Sequence, residues 1–352
     1  MLTRSSLPIV VLALLLAPTL AGAQMQRYSL DGPGVAVYNL AGTMRVEGGT
    51  GSQVVVEVTR AGADAARLTV ATGTMRGRTS LRVRYPSDRI VYPQRAYGGR
   101  TTFTVHDDDT FGDGDEGGNR ERRRIEVRSD GDGLEAHADL RIIVPPGRSV
   151  FLRNGVGETT LENVDGQINV SVASSRVRAS HVRGSLSLET GSGGVEVTDM
   201  TGTLRIESGS GGAVLDGIRG GALNVEVGSG SLRGRSIEVS ELSADVGSGG
   251  VRLAGVRTPT LRLDAGSGRS EIELLAPVDA VTIESGSGGV TLRLPASLDA
   301  TLDVETGSGG IDTDFEVVVQ RKERGTLRGT VGKGRGRIRI EAGSGAVRLL
   351  RS

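Results

Sequence analysis

The chain has no cysteine, no tryptophan, three histidines and only 3% aromatic residues among its 352. Without cysteine there is no disulfide framework, no thiolate metal site and no lipidated N-terminal cysteine. After Phe151 almost no ring follows apart from Phe315, so the C-terminal half lacks the aromatic-lined groove that a polysaccharide-cleaving β-helix uses. His106, His137 and His181 stand apart in sequence, and lone histidines of this kind read as surface residues rather than as parts of a triad or metal site. No serine has glycine at both two-residue flanks, so the Gly-x-Ser-x-Gly elbow is missing. The 42 basic and 42 acidic residues cancel, and nothing at whole-chain level points to nucleic acid or an acidic lipid surface.

What the sequence does have is glycine, at 55 positions, and a repeat. Gly-Ser-Gly begins at Gly191, Gly209, Gly228, Gly247, Gly266, Gly286, Gly307 and Gly343, in steps of 18, 19, 19, 19, 20, 21 and 36 residues. A period of that length marks a solenoid, in which one coil buries its apolar face only when the next stacks on it. Around each turn apolar and polar residues alternate, as from Leu204 to Leu215, which is the period of a strand with one buried face. The glycines between two such strands are expected to supply positive φ. Leu204/Ile206, Leu223/Val225, Leu242/Ala244, Leu261/Leu263, Val281/Ile283 and Leu302/Val304 are predicted to stack about 4.8 Å apart as aliphatic columns. Met200, Ile218, Ile237, Val256, Val278 and Leu298 form a further column at the second arc. The expected fold class is all-β, a right-handed parallel β-helix of 18–21-residue coils turning on Gly-Ser-Gly. About ten coils would give roughly 45–50 Å of axis.

Residues 1–23 combine a basic start at Arg4, an apolar run from Leu7 to Leu16 and the small exit Ala21-Gly22-Ala23. This is the layout of a cleaved secretory signal, too short to span a bilayer, with a mature chain starting at Gln24. The protein is therefore expected to be exported, to the periplasm, the outer cell surface or the extracellular space. Residues 24–150 read as an N-terminal β region that starts the solenoid. It is interrupted over about 86–124 by a polar insertion containing Tyr92, Tyr97, Asp107 to Asp109, a Gly/Asp tract and a basic run ending at Arg124, with Tyr85 just before it. So polar a tract cannot offset its ordering entropy, so a solvated loop is expected, removable from Ile90 to Glu121 without loss of fold and carrying the binding residues. Residues 151–352 read as regular repeats with one enlarged coil at about 313–337. Within that coil Gly332-Lys333-Gly334-Arg335-Gly336 imitates a phosphate loop, but no Ser or Thr follows the lysine and no helix follows the loop, so it reads as a plain turn.

The coil with Asn39-Leu40-Ala41-Gly42, the step Val144-Pro145-Pro146-Gly147, the Gly-Ser-Gly-Gly-Val coils and the ending from Leu327 to Gly332 and Ile338 to Gly345 resemble the bacterial adhesin-like β-helix family of unknown function. The resemblance covers nearly all of the mature chain. Because turn glycines and core aliphatics carry it, it implies a fold and a surface role and assigns no catalytic residue.

An acidic residue stands two positions before each repeat's first glycine: Glu189, Glu207, Glu226, Asp245, Asp264, Glu284, Glu305 and Glu341. Alternation points all eight outward as a ladder in which neighbours repel by roughly 1 kcal/mol in water. Arg205, Arg262 and Arg339, two positions earlier on the same face, relieve part of this, and a divalent cation would relieve more. The calcium-binding nonapeptide turn, however, needs Asp inside the turn, where Ser and Gly stand here. A solvated charged face and a weak cation ladder both stay open, and no catalytic, cofactor or metal residue is assigned. The functional expectation is an exported, non-enzymatic envelope or surface protein, an adhesin-like scaffold whose partner is a protein or glycan. The alternatives are a periplasmic sensor or assembly partner that binds another protein, and a carbohydrate-active β-helix enzyme.

Overall fold

The computed structural model describes residues 25–93, 99–112 and 122–352; the expected signal segment, Tyr97 and the Gly/Asp tract beyond Gly112 lie outside them. Strand makes up most of the described chain, the one helical piece being a short 3-10 turn at Ala65–Arg67. Two ladders of parallel strands, one on each side of the Gly-Ser-Gly turn, run through the repeats in register. Leu186 pairs with Leu204, Leu204 with Leu223, Leu223 with Leu242, Leu242 with Leu261 and Leu261 with Val281. These columns are buried, as alternation requires of a wall with one face inward. The second-arc column runs through Met200, Ile218, Ile237 and Val256. There it departs from expectation: Val256 is followed by Leu274 across a register shift, not by Val278. The strand ends at Leu274, Leu275 still donates its amide to the Val256 carbonyl at 2.8 Å, and Pro277 just beyond has no amide to continue a ladder.

The turn glycines serve a different purpose from the one expected. None of the Gly-Ser-Gly glycines has positive φ. A Cβ on Gly249 would instead lie 1.8 Å from the Gly230 carbonyl oxygen, and one on Gly247 would lie 2.4 Å from that of Gly228. Glycine is required because backbone stacks directly on backbone at this corner. The inward residue just before the turn often closes it: the Thr190 hydroxyl accepts the Gly193 amide at 3.1 Å, and Ser285 Oγ donates to the Gly288 carbonyl at 2.8 Å. Left-handed backbone occurs at the opposite arc, in a column made of Asn163, His181, Asp199, Gly217, Ser236 and Gly255, with φ between 51° and 67°.

At the C-terminal end spatial order departs from chain order. Strand Gly336–Ala342 inserts between Ala280–Ser285 and Ala300–Thr306, parallel to both. Val347–Arg351 inserts likewise between Val290–Leu294 and Ile311–Thr313. The hairpin of Val318–Glu323 and Thr326–Val331 then covers Ala300–Thr306 with antiparallel pairing and ends the sheet. The N-terminal end is built alike, with His137–Val144 parallel to Met44–Gly48 on one side and antiparallel to Val54–Ala61 on the other.

The stretch 86–124 is not a solvated loop where it is described. Arg89–Val91, Arg100–His106, Arg122–Arg128 and Leu134–Glu135 form a second, four-stranded sheet. Its inward residues Ile90, Phe103, Val105, Ile125 and Val127 are buried. Phe111 lies 6.0 Å from Tyr38 and 5.7 Å from Phe103, ring to ring. These rings cover the outer side of strand Val35–Ala41, which is why that strand is buried on both faces.

Candidate functional site

The eight outward acids do form one column, but not in chain order. Pairing runs from Glu189 through Glu207, Glu226, Asp245, Asp264 and Glu284 to Glu341, with Glu305 outermost. The inserted last coil causes the exchange. Guanidinium groups take up Glu207 and the far end of the column, while the first acid, Glu189, forms no ion pair among the described residues. Arg205 pairs with Glu207 and Arg339 with Glu341 on their own strands. Arg262 reaches across to Glu284 of the next coil at 3.8 Å, leaving its own Asp264. Arg328, from the end hairpin, bridges Asp303 at 2.8 Å and Glu305 at 2.6 Å, a pairing that no local pattern around Arg328 foreshadows. Glu226, Asp245 and Asp264 form no ion pair among the described residues and stay exposed to water, which screens them. Among the described residues no three carboxylate or imidazole side chains converge as a metal ion would require. Outward side chains on parallel strands stand side by side at coil spacing, and that geometry spreads charge along a line instead of focusing it.

The Gly332–Gly336 turn is built around an anion supplied by the chain itself. Asp299 Oδ1 accepts the amides of Lys333 at 2.8 Å and Arg335 at 3.1 Å, and Asp299 Oδ2 accepts Arg335 Nε at 2.5 Å. The Arg335 amide, then its side chain, hold this carboxyl below the usual range, against the opposing effect of desolvation. A phosphate has no free amide to occupy at those two positions.

The tyrosines expected to bind a partner are interior residues where described. The Tyr85 hydroxyl lies 2.8 Å from both Asn39 Oδ1 and the Ala41 carbonyl, which share its one proton, and burial pushes its pKa up. Asn39 Nδ2 donates to the Ala138 carbonyl at 2.8 Å, and its stacked neighbour Asn154 donates to the Gly42 and Gly157 carbonyls at 3.0 Å. This network satisfies the backbone groups of the first two arcs from inside. Tyr92 is 2% exposed, its pKa pushed up to about 12, chiefly by burial. Its ring lies 4.9 Å from His137. His106 and His137 are buried rather than superficial, although each stands on the face of its strand opposite the inward Val105 and Ala138. His137 Nε2 has no hydrogen-bond partner, its nearest acid being Asp139 Oδ2 at 3.8 Å. His181 is exposed, in left-handed backbone, 3.5 Å from Asp199. The three histidines lie in separate places and none is joined to a nucleophile.

Among the described residues no helix is long and apolar enough to cross a membrane. A family model described as Toastrack DUF4097 matches residues 165–350. No curated protein matches the sequence. Among solved structures, a candidate adhesin from Parabacteroides merdae is 10% identical with a TM-score of 0.46, over 94% of this chain and 97% of the other. A candidate adhesin from Parabacteroides distasonis is 12% identical with a TM-score of 0.43, over 93% and 97%. A candidate cell adhesion protein from Clostridium sporogenes is 12% identical with a TM-score of 0.19, over 94% and 100%.

Proposed function

Because this chain belongs to the Toastrack DUF4097 family, with a fold of stacked β coils, we propose that it is an exported, non-enzymatic scaffold of the cell envelope or surface. The observation that carries this reading is the rigid ladder itself. The same outward position repeats coil after coil from Glu189 to Glu305, fixed by continuous parallel pairing beneath. Such a wall presents many equal, weak contacts in a row, which suits adhesion by avidity better than chemistry at one point, which needs groups converging on a reacting atom. The basic, apolar and small-residue order of residues 1–23 supports export. In the proposed architecture the coils wind right-handedly, and residues 24–150 cap and start the solenoid that 151–352 extend. The partner is a protein or glycan of the envelope. Fractionation followed by N-terminal sequencing tests the reading: the chain is expected outside the cytoplasm, beginning at Gln24. A cytoplasmic chain that retains residues 1–23 would refute it.

A further inference from the structure

The wall that follows the Gly-Ser-Gly turn is of mixed charge, and over the coils from Arg233 to Arg348 arginine outnumbers acid. A groove of about 580 Å³ crosses it between Arg252, Arg269, Arg293 and Arg348, with Glu271 and Glu273 as its carboxylates. It adjoins a second depression of about 470 Å³ that shares Arg252, Arg269 and Glu271 and extends to Arg233. The register stacks Arg233 directly against Arg252, two like charges at strand spacing. Glu271 serves two cations, taking Arg252 at 2.8 Å and lying 4.0 Å from Arg269. Glu273 is occupied with the Gly255 amide at 3.0 Å. Arg233, Arg293 and Arg348 are left exposed and form no ion pair among the described residues. Five guanidinium groups thus face two carboxylates, both already engaged.

We propose that this groove binds a polyanionic polysaccharide, a carboxylate-bearing glycan chain laid across successive coils. The occupant must be extended, because the arginines are distributed over neighbouring strands instead of ringing a point. It must be anionic and repeating, because planar guanidinium groups at each step match carboxylates in bidentate geometry. No ring lines the groove, so neither neutral sugars nor nucleobases find a stacking surface. Of its apolar lining, Leu253 and Ile272 are buried, and only half-buried Leu350 and the small Ala254 and Ala346 reach the surface, too little for the large buried anchor that a protein partner uses. The assignment names the ligand class of the envelope role proposed above and rests on it.

The test is titration of the purified chain with fluorescent polygalacturonate at low and high salt. Binding is expected, weaker as salt rises, and Arg293→Gln with Arg348→Gln should weaken it about tenfold, since two exposed guanidinium charges no longer meet the polymer. Arg219→Gln, an exposed arginine on the second arc, should leave it unchanged. Glu271→Gln should strengthen it by releasing Arg252, a gain that carries the test even if the double variant fails to fold. Absence of binding, equal weakening by Arg219→Gln, or equal affinity for polyglutamate would each overturn the assignment. Binding in vitro by a chain found in the cytoplasm would remove the envelope role and leave the groove, while an exported chain that ignores the polymer would do the reverse.

Discussion

Asp299 and Arg335 are joined twice, backbone amide to Oδ1 at 3.1 Å and Nε to Oδ2 at 2.5 Å, and the clasp lies where the chain turns back into the gap between earlier coils. Hydrogen bonds to the ionised carboxyl lower its pKa in the folded protein. A carboxyl so lowered stabilises the fold above its unfolded pKa of about 4, and that contribution is lost as pH falls through the lower folded value. Asp299→Asn should therefore lower stability at neutral pH and flatten the loss on acidification. Urea midpoints at pH steps below neutrality measure this, and parallel curves for the two proteins would contradict it.

At the Gly-Ser-Gly corner the restriction is space. Gly249→Ala places a methyl against the Gly230 carbonyl and should cost about 1–3 kcal/mol, as overpacking does. Ser248→Ala, on the exposed middle residue, should stay within about 0.5 kcal/mol. Equal costs by chemical denaturation would mean the coils do not stack backbone on backbone there.

At the second arc the restriction is torsional. Ser236, with φ 54°, should tolerate Gly, whereas Val should cost about 1–2 kcal/mol because a branched Cβ crowds its own carbonyl in left-handed backbone. Thermal or urea denaturation of the two variants decides it, and a neutral Ser236→Val would remove the corner.

These two corners separate what is legible in the sequence from what is not. The aliphatic columns are legible because alternation with period two survives in every coil. The role of the turn glycines is not, since positive φ and close backbone approach call for the same residue. The left-handed column does leave a trace, in Asn163, His181, Asp199, Gly217, Ser236 and Gly255 at steps of 18 or 19, residue types that accept such backbone. Its mixed identities hide it beside eight identical Gly-Ser-Gly turns. The small sheet escapes sequence reading because Phe103/Val105 and Ile125/Val127 give only two apolar positions per strand, the first pair among threonines and the second among arginines. Alternation correctly points the acid column outward, but Glu341 and Glu305 exchange places because strand pairing does not have to follow chain order.

The same sheet reverses an expectation about residues 90–121. Phe111 packs on both Tyr38 and Phe103, so Phe103→Ala should cost about 3 kcal/mol or more, and deleting Ile90 to Glu121 should unfold the N-terminal coils. A folded deletion variant, by circular dichroism and cooperative melting, would show that the four strands are dispensable.

Inside the first arcs, Tyr85→Phe removes the donor to Asn39 Oδ1 and the Ala41 carbonyl. The buried acceptors left behind should cost about 1–3 kcal/mol. A change near zero would mean that water replaces the hydroxyl.

Display outside the cytoplasm is the central claim, and the lack of native cysteine makes it directly measurable. Asp245→Cys places a single thiol at an exposed position in the middle of the acid column, where a membrane-impermeant maleimide can reach it. Labelling of intact or osmotically shocked cells is the predicted result. Labelling only after the cytoplasmic membrane is opened would contradict the account.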